Sequence, residues 1–170
     1  MSETPVEMFR HNLWANQRLF EACEDLSDAQ LDATVAGTFG SIRTTLMHIV
    51  GAQERYVVAL AEPGPVSVIR ERDLFFDLAE LRDAVRTSSE ALVELAAQAQ
   101  SGATVTTTWR GEGYTLPVWL LLVQALTHAI EHRAQVAAIL THQGVQPPGM
   151  DGWTYHEARF NADWSLLWAW

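Results

Sequence analysis

The sequence predicts an all-α four-helix bundle. Three observations carry this: four long stretches with apolar residues at helical spacing, Gly- and Pro-containing breaks between them, and Ser, Thr or Asp residues placed to cap them. With 170 residues and no internal repeat or low-complexity run, one domain spanning 1–170 is expected, large enough for a single substantial core.

The first element opens at Thr4, which with Glu7 has the spacing of a capping box and places Pro5 at the first helical position. Val6, Phe9, Leu13 and Phe20 then recur on one side, so a helix is expected over about residues 5–25. Ser27 and Gln30 predict a second capping box and a short helical turn ahead of the VAGTFG loop. A second long helix should start near Ser41 and end before Pro63-Gly64-Pro65, with Ile42, Leu46, Ile49, Gln53, Val57 and Leu60 in one stripe.

The third long helix is expected from Asp77 to Ser101-Gly102. Asp77 and Glu80 would form its capping box, Phe76 and Leu81 its hydrophobic staple, and Leu81, Val85, Leu92 and Leu95 its apolar side. Residues 104–116, rich in β-branched and aromatic side chains around Gly111-Glu112-Gly113, read as a short β-hairpin or extended insert. The fourth long helix, about 117–143, is apolar almost all round, which predicts cover on most sides, and Gly144 ahead of Pro147-Pro148 ends it. A short C-terminal helix is expected from about Trp153 to Arg159. Residues 150–170 hold four of the seven tryptophans, Trp153, Trp164, Trp168 and Trp170, which could line a cavity, join a dimer contact or cap the bundle.

Composition excludes several classes. The net charge is −10 and all 11 basic residues are arginine, without a run of them among aromatics, so an acidic surface would repel nucleic acid. No apolar stretch has the length of a membrane span, and the N-terminus lacks the basic-then-apolar run of a secretory signal. The single cysteine, Cys23, excludes an internal disulfide and fits a buried small hydrophobe better than a nucleophile. A cytoplasmic protein with a small-molecule partner is expected.

His128 and His132 sit within the most apolar stretch of the chain. A buried imidazole needs a polar partner or a cation. At four residues' spacing the two project about 40° and roughly 6 Å apart, in line with Leu121, Ala125, Val136 and Ile139, so they can converge on one metal ion. Spacing alone leaves the third ligand open among His48, His11, His156 or an acidic residue. His48 lies well off the main stripe of its helix, on a narrower face with Thr45, Ala52 and Ala59. His11 and His156 suit packing, and His142 suits the negative end of its helix. Trp14 and Arg18, four apart, could stack as a cation–π pair.

Taken in order, NLWANQRL (12–19), GSIRTTLMHIVGAQERYV (40–57) and THAIEHRAQVAAILTHQGVQPP (127–148) resemble the DinB-like (DinB/YfiT-like) family of four-helix-bundle metalloproteins, over most of the chain. The resemblance implies a three-histidine metal site built from His48 on the second long helix and the His128/His132 pair ahead of the Gly-x-x-Pro turn. Arg133 and Gln135 match the family's H-R-x-Q continuation, whereas Glu131 stands where another histidine is frequent, and the Trp-rich C-terminus has no counterpart in the pattern. Gln53, Glu131 and Gln135 are candidates to hydrogen-bond the ligands from behind, and Glu131 is also a candidate general base.

Three neutral imidazoles leave a divalent ion its full charge and at least one open coordination position. Imidazole ligands suit zinc, nickel, copper and iron alike; zinc is the expected ion, with nickel or iron as alternatives. By resemblance to relatives that are thiol S-transferases or thiol-dependent isomerases, the expectation is a metal-dependent enzyme that activates a low-molecular-weight thiol or water, transferase-like or hydrolase-like, on a small-molecule substrate. The alternative is a non-catalytic, metal-stabilised binding or stress-related module. A homodimer is expected from the family and from the excess of aromatic residues near the C-terminus.

Overall fold

The computed structural model describes residues 3–61, 77–109 and 112–160. In chain order these form α1 (Glu3–Glu21), α2 (Asp28–Leu31), α3 (Ile42–Ala61), α4 (Leu78–Gln98), β1 (Thr104–Trp109), β2 (Glu112–Pro117), α5 (Val118–His142) and α6 (Gly152–Phe160). The four long helices are α1, α3, α4 and α5. α1 packs against α4 and α5, and α3 packs against α4 and α5. The antiparallel β1–β2 hairpin, in register from Thr104 opposite Pro117 to Trp109 opposite Glu112, lies against α3 and α5, and α6 lies on α1. No helix among the described residues is long and apolar enough to cross a membrane.

The helix ends show which local signals operate. Ser27 and Gln30 make the expected capping box on α2: Gln30 N–H donates to Ser27 Oγ at 3.4 Å and Ser27 N–H to Gln30 Oε1 at 3.0 Å. Arg43 at the start of α3 then ties α2 down through Asp32 at 2.6 Å and Asp28 at 2.7 Å. Ser41 caps α3, accepting the Thr44 N–H on its hydroxyl at 3.2 Å. α5 ends at Gly144, whose φ of 75° lets Val145 N–H reach Leu140 C=O at 2.9 Å and Gly144 N–H reach Thr141 C=O at 3.0 Å, a Schellman turn.

Two expected caps do not form. α1 begins at Glu3, so Thr4 lies inside the helix, and Glu7 is drawn to α6 instead, accepting from Tyr155 Oη at 2.6 Å and pairing with Arg159 at 2.8 Å. Asp77 stands at the N-cap of α4 without a side-chain capping hydrogen bond. The Phe76 half of its staple, the Pro63-Gly64-Pro65 break, and Trp164, Trp168 and Trp170 lie outside the described residues.

The described residues form two apolar clusters with a polar layer between them. One gathers Leu19, Phe20, Ile42, Leu46, Val50, Val85, Ile139 and Leu140; the other gathers Phe9, Val57, Leu60, Leu92, Leu121 and Leu126. Between them along α1, α3, α4 and α5 stand the buried polar residues Asn12, Asn16, Gln53, Ser88, Ser89 and Arg133. Arg133 donates to Asn12 Oδ1 at 2.6 Å and Asn16 Oδ1 at 2.7 Å. Both asparagines donate in turn to Gln53 Oε1, at 3.1 and 3.2 Å, and Gln53 Nε2 donates to Ser89 Oγ at 2.7 Å, Ser88 Oγ at 2.9 Å and Val85 C=O at 3.1 Å. All four long helices are thus joined by one closed set of hydrogen bonds, which favours a single register of the bundle.

α5 is less covered than its composition predicts. Trp119, Leu120, Val123 and Ile130 are exposed, and Val123 and Ile130 face a groove that Met8 of α1 also lines. The reason is its neighbours: α3, α1 and β2 each cover part of α5, and these side chains lie on the side that remains.

Candidate metal centre

α3 carries His48 on the face it shares with Ala52, Tyr56 and Ala59, one helical step apart each time, and this face turns toward α5 and the hairpin. α5 presents His128 and His132 to it. The three rings converge: centroids lie 4.8 Å apart for His48–His128, 4.6 Å for His48–His132 and 4.4 Å for His128–His132. His48 Nε2 and His128 Nε2 are 3.0 Å apart, and one ligand atom from each of the three residues lies within 4.8 Å of the others. Tetrahedral coordination with metal–nitrogen bonds of about 2.0–2.1 Å needs nitrogens about 3.3 Å apart, which this spacing brackets. The donor set, three imidazoles without a carboxylate, also fits a first-row divalent ion.

Gln135 sets the chemistry of His132. Its Oε1 lies 2.9 Å from His132 Nδ1 and accepts the backbone N–H of Phe39 at 3.2 Å. The backbone donor identifies that amide atom as the oxygen, so Nδ1 of His132 must carry the proton in its contact with Gln135. Nε2 is then left with its lone pair toward the other imidazoles. This is the arrangement in which a hydrogen bond from behind fixes the tautomer of a ligand.

Phe39 also covers the cluster. Its ring stacks on His48 at 4.1 Å and 18° and meets His132 edge-on at 5.2 Å. The loop that holds it is closed by the Thr34–Ser41 bridge and turns through Gly37, whose φ of 89° suits glycine. On the opposite flank, His48 and His128 line a cavity of about 580 Å³ between α3, α5 and the hairpin. Tyr56 borders it, its ring 6.1 Å from His128. Burial raises the Tyr56 phenol pKa, against smaller lowering effects from a hydrogen bond with Gln124 and from the Arg55 charge.

A family model described as the DinB family matches residues 1–164. The chain belongs to the DinB family. No curated protein matches the chain.

In this DinB-family protein the expected residues separate clearly. His48, His128 and His132 come together, with Gln135 behind His132. Gln53 bonds into the Arg133 layer instead, because its amide reaches α1 and α4. Glu131 is exposed and, among the described residues, joins neither the imidazoles nor Gln135. His11 packs against Trp14 and Tyr155 and lies 2.8 Å from Met150 C=O, and His156 packs on Phe160. Trp14 meets His11 and Tyr155, while Arg18 pairs with Glu21 at 3.5 Å, so the expected stacking of Trp14 on Arg18 gives way to these contacts. Cys23 is buried, which pushes its thiol up to about 12 and leaves it without nucleophilic character at neutral pH.

Phe39, Tyr56 and Arg55 were not read from sequence as site residues. Tyr56 falls two helical turns from His48 and Arg55 beside it, so the helical face that carries His48 already holds the signal. Phe39 sits in a loop whose pattern points to no partner.

Proposed function

We propose that His48, His128 and His132 hold one divalent metal ion, zinc first with nickel or iron as alternatives, and that the protein is a metal-dependent enzyme acting on a small molecule. The observation that carries this reading is the position of two of the three imidazoles on the wall of a cavity of about 580 Å³, a volume suited to a small-molecule ligand. A centre that only clamps α3 to α5 has no use for such an opening, which favours the enzyme over the metal-stabilised module.

A divalent ion on three neutral imidazoles supplies Lewis acidity, a lowered pKa of bound water or a stabilised thiolate. The protein's residues do the rest. Gln135 holds His132 in the ligating tautomer, and Phe39 shields one face of His48 from water. The cavity then admits reactants from the side of His48 and His128. We assign the reaction class as transfer to a low-molecular-weight thiol, or hydrolysis, in the cytoplasm. The exposed apolar side made by Met8, Val123 and Ile130 supports a homodimer.

Cobalt substitution tests the reading. Titration of the cobalt protein with a small thiol should change its visible absorption as the thiol enters the coordination sphere. A spectrum indifferent to thiols and to small anions would overturn it.

A further inference from the structure

α3 carries large apolar residues on one side and small ones on another. Ile42, Leu46, Ile49 and Val57 enter the apolar clusters, whereas the face that holds His48 has alanine at 52 and 59. β1 lies against α3, and side chains of leucine size at these two positions would take up part of the space between them. Alanine at both keeps open the cavity of about 580 Å³ beside the imidazoles.

The wall of this cavity is mostly carbon. Val58 and the two alanines come from α3, Leu116 from β2 and Leu121 from α5. Two tyrosines add aromatic carbon, and the hydroxyl of each is already engaged: Tyr114 Oη donates to Glu112 Oε2 at 2.8 Å, and Tyr56 hydrogen-bonds Gln124. Arg55 reaches the same wall but is engaged by the protein itself, and no aspartate or glutamate is among the described lining residues. The remaining polar groups are Thr107 and Thr108 on β1 and the two imidazoles. Such a wall gives water few hydrogen-bond partners, so replacing water by carbon there is favourable, while a charged ligand would lose hydration without recovering it.

We propose that this cavity takes an uncharged, largely hydrocarbon molecule, seated against Ala52, Ala59, Leu116 and Leu121 beside His48 and His128. This names the substrate class of the enzyme read above, and the ligand's role as substrate rests on that reading. Its binding rests on the wall and is measurable without metal.

Isothermal titration of the full chain, as purified and after removal of metal by chelator, tests it with three probes. These are the ketone acetophenone, its near-isostere benzoate, which differs in charge, and butyrophenone, which is two methylenes longer. Both forms of the protein should bind the ketones. Stripped protein should bind acetophenone at least about tenfold more tightly than benzoate, and butyrophenone about tenfold more tightly again. Ala59→Trp should abolish binding of both ketones, and Leu116→Ser, which leaves the helices untouched, should weaken it about fivefold. The proposal would be overturned by stripped protein that binds no ketone, by benzoate bound as tightly as acetophenone, or by butyrophenone bound no more tightly than acetophenone. A folded Ala59→Trp or Leu116→Ser protein that keeps its ketone affinity would overturn it as well. Ketone binding by protein that takes up no metal would refute the metal reading and leave the ligand class standing. Stoichiometric metal without ketone binding would do the reverse.

Discussion

His132 and Arg133 are neighbours on α5, and they enter two polar regions that end differently. Arg133 turns into the layer of Asn12, Asn16, Gln53, Ser88 and Ser89, where every partner is another buried side chain or a backbone carbonyl. His132 turns toward His48 and His128, where the three rings converge and a cavity opens beside them. The first region closes on itself and joins helices. The second gathers three imidazoles beside an opening, which is what a ligand requires. A polar cluster enclosed between helices serves the fold, whereas one that gathers metal-binding side chains on the wall of a cavity points to function.

If that contrast holds, the largest stability loss comes from the closed layer. Arg133→Ala leaves Asn12 and Asn16 oxygens without their donor and opens a cavity, so unfolding in urea should show a loss of about 3 kcal/mol or more. A loss below about 1 kcal/mol would break the contrast.

Gln135→Leu sharpens it from the other side. Without the acceptor on His132 Nδ1, metal affinity measured by chelator competition should fall about 10- to 100-fold, while the unfolding free energy of stripped protein stays within about 1 kcal/mol. Equal metal affinity in wild type and variant would show that Gln135 does not set the His132 tautomer.

A smaller effect is expected far from both regions. Asp151 caps α6, accepting from Trp153 N–H at 2.8 Å and Thr154 N–H at 3.1 Å, and the Thr154 backbone bond, above all, holds its carboxyl below the usual range despite partial burial. A carboxyl lowered on folding contributes stability above its ordinary pKa and loses it as pH falls through the folded value. Protection of the α6 amides, measured relative to intrinsic exchange at each pH, should fall below about pH 4, and Asp151→Ala should cost about 1 kcal/mol locally at neutral pH. Unchanged α6 exchange in that variant would remove the cap from the account.

The smallest expected signal is chemical. Cys23 in the folded protein should resist a disulfide reagent at neutral pH and react on unfolding, because its buried thiol stays protonated. Fast labelling of the native state would contradict its burial.

The four long helices were legible in the sequence because periodicity and punctuation are local, and the Schellman turn at Gly144 followed from one glycine at the right place. Capping was legible only where the side chain had no better partner: Ser27 kept its box, whereas Glu7 went to Tyr155 and Arg159. Within the site, helical spacing paired His128 with His132, but His48 was selected by the family resemblance, since its face of α3 turns inward only once α5 and the hairpin cover it. Gln53 and Gln135 looked alike in sequence, yet one serves the closed layer and the other the imidazoles. Their separation depends on which helices stand opposite, and a single helix does not encode that.

Metal content of natively purified protein, measured by elemental analysis on wild type and His128→Ala, tests the central claim most directly. The account predicts about one divalent ion per chain in wild type and none bound stoichiometrically in the variant, with the helical fold retained. A full complement of metal in His128→Ala, or a wild type that takes up none after incubation with zinc, nickel or iron, would contradict it.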